Sequence, residues 1–207
     1  MKITQVYKKI QVYGLGGFIR LVFDITISRL FVSGKIRIIR RPYYIRGWDH
    51  IDWGNDLTTG INLRVDAFDY YNKQDKIIRF GNSVEMNDYV HIAAVKKIWI
   101  GNNVLIASKV FITDHNHGSY KNDDLMDSPL SKPNTRTLYC EEVVIEDNVW
   151  IGEFVSILPG VTIGTGSIIG SMSVVSKSIP PYCIAVGAPC RVIKKFDFDT
   201  NKWIKIV

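Results

Sequence analysis

The chain of 207 residues is poor in cysteine, histidine and proline, with three, four and seven of each. Cys140, Cys183 and Cys190 are odd in number and show no C-x-x-C spacing. That excludes a disulfide framework and a zinc knuckle, and makes a reducing cytoplasm the expected setting. No apolar run of membrane-spanning length is free of charge. The most apolar stretch, 12–32, contains Arg20, Asp24 and Arg29, which argues against a transmembrane helix. Residues 1–10 do not lead into an apolar segment with a small-residue cleavage site, so no signal peptide is expected. Charged residues are only 22% of the chain, while aliphatics and aromatics are plentiful, so wholesale disorder is excluded.

The net charge of +6 is unevenly placed. Residues 1–46 hold ten basic side chains and one acid, Asp24, so this leader carries +9 and the remainder −3. A basic leader on a mildly acidic body is not the footprint of a nucleic-acid-binding fold. Read as a helix, the leader places Arg20, Asp24 and Ser28 in a narrow polar stripe and leaves a wide apolar face. The preferred expectation is a helix that packs on its own domain or caps a sister subunit. The other is a peripheral contact of residues 1–44 with a membrane surface.

What the chain does have is a repeat. From Ile145 an aliphatic residue recurs every six positions, at Ile151, Ile157, Ile163, Ile169 and Val175. Four residues after each lead comes a small or β-branched one: Val149, Val155, Val161, Ser167, Ser173 and Ile179. The same register runs earlier through Ile100, Ile106 and Ile112, through Phe80, Met86 and Ile92, and more weakly from Ile45 to Leu63. A period of six fits neither a helix nor a continuous strand alternation. It fits very short strands joined by corners, each hexapeptide forming one flat side of a coil, with Gly or Asn suited to the turn dihedrals. Three hexapeptides per coil give about five coils, or ~25 Å of prism at the ~4.8 Å spacing of paired strands. The expected division is a leader at 1–44, a coil domain at 45–195 and a tail at 196–207.

Two interruptions break the register, at 69–77 and at 113–144. The larger opens with Asp114-His-Asn-His-Gly118. A regular scaffold that extrudes one long loop beginning with two histidines is presenting chemistry there.

The runs Ile145-Glu-Asp-Asn-Val-Trp-Ile-Gly152, Ile157-Leu-Pro-Gly-Val-Thr-Ile-Gly164, Ile169-Gly-Ser-Met-Ser-Val-Val-Ser-Lys177, Ile179-Pro-Pro181 and Gly187-Ala-Pro-Cys-Arg-Val-Ile-Lys194 resemble the hexapeptide-repeat acyltransferases. The similarity covers about 45–195. It is greatest to the maltose and galactoside acetyltransferases and to the O-acetyltransferases of bacterial polysaccharide gene clusters. The resemblance implies an all-β fold, a left-handed parallel β-helix, assembled as a homotrimer with acetyl-CoA in clefts between subunits. It implies His115 as the catalytic histidine and Asn87 as a contact to the acceptor sugar. Trp150 would line both the donor and acceptor sides of the cleft. Gly152, Ser171, Ser176, Lys177, Arg191 and Lys194 would flank the pantetheine arm or the phosphates of CoA. Ser171 stands where alanine is usual, and the His115–Trp150 separation is longer than in the sugar acetyltransferases.

Acetyl transfer from a thioester to a hydroxyl needs a base, and imidazole can accept a proton near neutral pH and return it to the departing thiolate. His115 is the candidate base, with His117, two residues along, as the runner-up for that role and otherwise a substrate-binding residue. Asp114 or a backbone carbonyl would orient the ring. His50 and His91 are expected to be structural, and cysteine is disfavoured as an acyl carrier. No metal is expected. A γ-type carbonic anhydrase needs a His-x4-His pair, which is absent from the sequence. The functional expectation is O-acetylation of a sugar hydroxyl of a bacterial surface polysaccharide or its lipid-linked precursor, in the cytoplasm or at the inner face of its membrane. The alternatives are another small hydroxyl acceptor and a catalytically silent trimeric scaffold.

Overall fold

In the computed structural model, which describes residues 3–32, 35–68, 76–120 and 126–206, the six-residue period becomes geometry at the corners. Asn148, Phe154, Gly160, Gly166 and Met172 follow one another at that interval, and every one has positive φ. Pairs with the same spacing lie earlier, at Asp56/Asn62, Ser83/Tyr89 and Asn103/Lys109. Gly and Asn were the expected occupants, but Asp56, Ser83, Tyr89, Lys109, Phe154 and Met172 also adopt the left-handed conformation, at ~1–2 kcal/mol for the bulkier ones. None of these positions holds a β-branched residue, whose second γ substituent would clash there.

Between corners the strands are two to five residues long over most of the prism and stack in parallel into three faces. The first face orders Tyr43–Arg46, Leu63–Ala67, His91–Ala94, Phe111–Thr113, Ser156–Ile157 and Val174–Val175. The second runs from Thr58–Thr59 through Trp150–Ile151 and Ile168–Ile169 to Cys183–Val186, and then gains two antiparallel strands, Arg191–Asp197 and Lys202–Lys205. The third comprises Ile51–Asp52, Ile78–Phe80, Ile98–Ile100, Val143–Ile145 and Thr162–Ile163. The whole is a left-handed parallel β-helix with an N-terminal helix.

The repeat leads fill its axis: Ile100, Ile106, Ile112, Ile145, Ile151, Ile157, Ile163, Ile169 and Val175 are each at most 1% exposed. Truncating such an isoleucine to alanine costs about 2–5 kcal/mol. The residues four places on also point inward, so Ser167 and Ser173 are buried and need partners. Ser167 Oγ donates to the Pro180 carbonyl and accepts from Cys183 N–H, and Ser173 Oγ does the same with Gly170 and Gly187. Gly101 is small because a Cβ there would sit 2.4 Å from Asp147 Oδ1, which receives Asn102 N–H at 2.7 Å.

The expected boundaries at 44/45 and 195/196 fall inside structure. Ile36, Ile38 and Ile39 are buried with the core, and the strand Arg191–Asp197 runs across 195. The register break at 69–77 lies mostly outside the described residues, as does 121–125 of the long loop. The described ends of that loop pair as an antiparallel hairpin, His115–His117 against Leu138–Cys140.

The leader helix, α1 (Ile3–Ile27), carries a non-helical residue at Gly14 and continues as a π turn, Ser28–Val32. The polar stripe meets the body: Asp24 and Ser28 are buried beside Leu21. Asp24 Oδ1 pairs with Arg41 Nε at 2.6 Å, and Ser28 Oγ accepts Ile39 N–H at 2.7 Å. These fixed partners make polar burial favourable and turn Leu15, Ile19 and Val22 outward.

Candidate active site

The site grows from the end of the strand Phe111–Thr113. The chain bends at Asp114 before pairing again as His115–His117, so the usual strand alternation does not apply there. Asp114 is wholly buried and accepts backbone N–H bonds from Val95 (2.9 Å), Lys96 (2.7 Å) and Lys97 (2.7 Å). Its Oδ1 lies 3.0 Å from His115 Nδ1, with Thr113 Oγ1 at 3.3 Å from the same nitrogen. The carboxylate, rather than a backbone carbonyl, therefore orients the ring. It places the proton on Nδ1 and leaves the Nε2 lone pair for a substrate.

His115 lines a cavity of about 400 Å³ with His117, His91, Phe68, Asp66 and Arg64. The Phe68 ring stands edge-on to His115, 6.5 Å between centroids. His91, expected to be structural, faces this cavity too. Its Nε2 is 3.2 Å from Asp66 Oδ2, and Asp66 is buried between Arg64 Nε at 2.7 Å and Arg46 Nε at 2.9 Å. The Arg46 contact is an ion pair without hydrogen-bond alignment, since Asp66 Oδ1 has no directed partner among the described residues. Burial holds the His91 imidazole below its ordinary value, against the upward pull of Asp66. The signal for this cluster was present as outward positions in register: Arg64 pairs with His91, and His91 with Phe111.

Cys140 lies opposite His115 in the hairpin. Burial and the Asp114 charge push its thiol up to about 11, so it stays protonated and is a poor nucleophile near neutral pH. Among the described residues, no group of three or more His, Cys, Asp or Glu is placed to hold a metal ion.

The other expected residues do not converge on His115 within one chain. Asn87 lines a different cavity, of about 530 Å³, between α1 and a corner, together with Arg20, Asp24, Arg40 and Asp88. Trp150 is on the second face, half exposed, between Leu105 and Ile168 in register. Gly152 and Ser171 touch: a Cβ on Gly152 would lie 2.6 Å from Ser171 N, and Ser171 Oγ accepts Glu153 N–H. Ser176 and Lys177 are exposed beyond the strand Val174–Val175. Arg191 and Lys194 are exposed on the C-terminal hairpin opposite Val186 and Ile184.

A hexapeptide β-helix that brings a carboxylate-paired imidazole to an open cleft has the parts that acyl transfer to a hydroxyl would use. The bacterial transferase hexapeptide (six repeats) pattern matches residues 142–177. Over 193 residues the chain is 49% identical to an Escherichia coli K12 protein assigned as the lipopolysaccharide biosynthesis O-acetyl transferase WbbJ, covering 93% of this chain and 95% of that one. The crystal structure of a maltose O-acetyltransferase from Clostridium difficile 630 superposes with a TM-score of 0.57 at 37% identity, over 72% of this chain and 71% of the other. A galactoside acetyltransferase in complex with coenzyme A superposes with a TM-score of 0.50 at 31% identity, over 72% of each chain. The chain belongs to the hexapeptide-repeat O-acetyltransferases.

Proposed function

We propose that this enzyme moves the acetyl group of acetyl-CoA to a sugar hydroxyl of a bacterial surface polysaccharide or its lipid-linked precursor, by direct transfer in a ternary complex. The observation that carries the reading is the Asp114–His115 pair at the cavity. His115 Nε2 takes the acceptor's hydroxyl proton as the oxygen attacks the thioester carbonyl. When the carbon–sulfur bond breaks, the same proton passes to the CoA thiolate, so His115 ends as it began. Asp114 holds the imidazolium that forms in between.

The assembly is a homotrimer with its active sites between subunits. Trp150 presents a large aromatic surface that a single chain leaves half bare, as a cleft wall or partner contact would require. Gly152, Ser171, Ser176, Lys177, Arg191 and Lys194 hold CoA, the basic ones countering its phosphates. Asn87 and His117 bind the acceptor. The work is done in the cytoplasm, or at the inner face of its membrane if the acceptor is lipid-linked. Support for the glycan acceptor comes from the 49% identity to the WbbJ protein and from the galactoside and maltose enzymes among the similar structures.

The test is thiol release from acetyl-CoA by purified protein, with and without candidate glycans, joined to mass spectrometry of the surface glycan from cells with and without the gene. Glycan-dependent release and loss of an acetyl mass on deletion are expected. Unchanged glycan acetylation would sink the polysaccharide acceptor, and full turnover by His115→Ala would remove the base.

A further inference from the structure

The outward side of α1 is unlike the rest of the surface. Leu15, Ile19, Val22, Phe23, Leu30 and Phe31 are between 42% and 76% exposed. On a helical projection Leu15, Ile19 and Val22 share the side opposite Leu21, Asp24 and Ser28, which face the body, and Phe23 lies at the edge of that side with the Arg41 guanidinium over its ring. The stretch from Leu15 to Phe31 extends ~25 Å, so it offers a strip and not a spot. Scattered surface apolar residues need no explanation, but a continuous strip does. Two polar ties, Asp24–Arg41 and Ser28–Ile39, hold the helix in this orientation, so the apolar side does not face the body.

Charge selects what covers it. Lys8 and Arg20 are exposed on α1 and Arg29 on the π turn that follows it, and the one acid between residues 3 and 46, Asp24, is buried and already paired. Laying this strip against the same strip of a second copy would bring like charge to like. An anionic surface meets it with opposite charge, and a bilayer supplies that together with an apolar layer for the leucine, isoleucine and phenylalanine side chains. No helix among the described residues is long and apolar enough to cross a membrane, so the geometry is one of lying on it.

We propose that the outward face of α1 is a docking surface for an anionic lipid bilayer, holding the enzyme at the membrane through Leu15, Ile19 and Val22, with Lys8 and, on the π turn that follows, Arg29 as electrostatic partners. This goes beyond the acetyl-transfer reading and needs neither donor nor acceptor, so either can fail without the other.

The test is sedimentation of the full-length protein with vesicles of phosphatidylcholine alone, or of three parts phosphatidylcholine to one of phosphatidylglycerol, with light scattering for the oligomeric state. Wild type is expected to bind the anionic vesicles at least ~10-fold more tightly, and less tightly as salt rises. Leu15→Glu/Ile19→Glu/Val22→Glu should lose that binding while keeping its oligomeric state and its thermal midpoint. Lys8→Glu/Arg29→Glu should lose the preference for phosphatidylglycerol. Wild-type protein that ignores both vesicles, or a triple variant that binds as well as wild type, would overturn the proposal. So would a triple variant that falls to a smaller oligomer, since the strip would then be covered by another copy.

Discussion

Asp114 Oδ1 stands 3.0 Å from His115 Nδ1, and the same buried carboxylate takes the backbone N–H groups of Val95, Lys96 and Lys97. One side chain thereby ties the His115 ring to the turn of the preceding coil. The position of His115 is a property of the stacked coils rather than of the loop that carries it.

His115→Ala is expected to lower kcat by about 10²–10⁴, the span of general-base contributions. Asp114→Asn retains the shape but replaces an acceptor oxygen with a donor facing backbone N–H groups. It should cost about 1–3 kcal/mol of stability as well as turnover. Thiol-release kinetics and calorimetry on both variants check this: loss of activity in Asp114→Asn without any loss of stability would contradict the shared role.

His91 should make stability pH-dependent. Its folded value is lowered from 6.5, chiefly by burial. Between that lowered value and 6.5 the unfolded chain therefore binds more protons than the folded one. Stability rises with pH across this window and is lost as pH falls through it. In His91→Gln the change in thermal midpoint between about pH 7.5 and 5.5 should be smaller than in wild type. An equal or larger change would show that another group is responsible.

Cys140 should behave as an inert thiol. With its value pushed up to about 11 from an ordinary 9.0, its thiolate fraction at mildly alkaline pH is about 100-fold below that of an ordinary thiol. Iodoacetamide should label it correspondingly slowly in the folded protein, as read by peptide mass spectrometry. Cys140→Ser should keep turnover within about twofold of wild type. A covalent acetyl adduct on Cys140 would instead require a two-step transfer.

Arg41→Ala should loosen α1. It leaves the Asp24 carboxylate buried without its 2.6 Å partner and removes a guanidinium lying 4.5 Å over the Phe23 ring. Arg41 is about 40% exposed, so solvent screening brings the cost down to about 1–3 kcal/mol. Limited trypsin digestion should then cut faster at Arg20 and Arg29, and Arg41→Lys should restore part of the protection. Digestion unchanged from wild type would show that the Ser28–Ile39 hydrogen bond and the remaining contacts hold the helix without this ion pair.

Much of the architecture was legible because the repeat leads are chemically uniform and buried. Each of Ile145, Ile151, Ile157, Ile163, Ile169 and Val175 points to the axis as its spacing demanded. The site was legible only in part. His115 and His117 stood out at the start of the loop, but His91 looked structural because it sits beside Ile92. Asp66 and Arg64 gave no sign of their own. They reach His91 only because parallel stacking sets residues a coil apart side by side, and the break at 69–77 hides that spacing in the linear chain. The polar stripe of the leader helix was legible, but not which side would turn to the body: there Asp24 and Ser28 meet Arg41 and the Ile39 N–H.

The prism is written in the linear chain: a period of six fits inward and outward residues alternating around corners, and burial of the inward set drives the coils together. Which outward residues meet is set only in the folded chain. That choice depends on register between coils, which places Arg64 beside His91 and His91 beside Phe111, and on whether a buried carboxylate such as Asp24 or Asp114 finds enough donors to make its burial favourable.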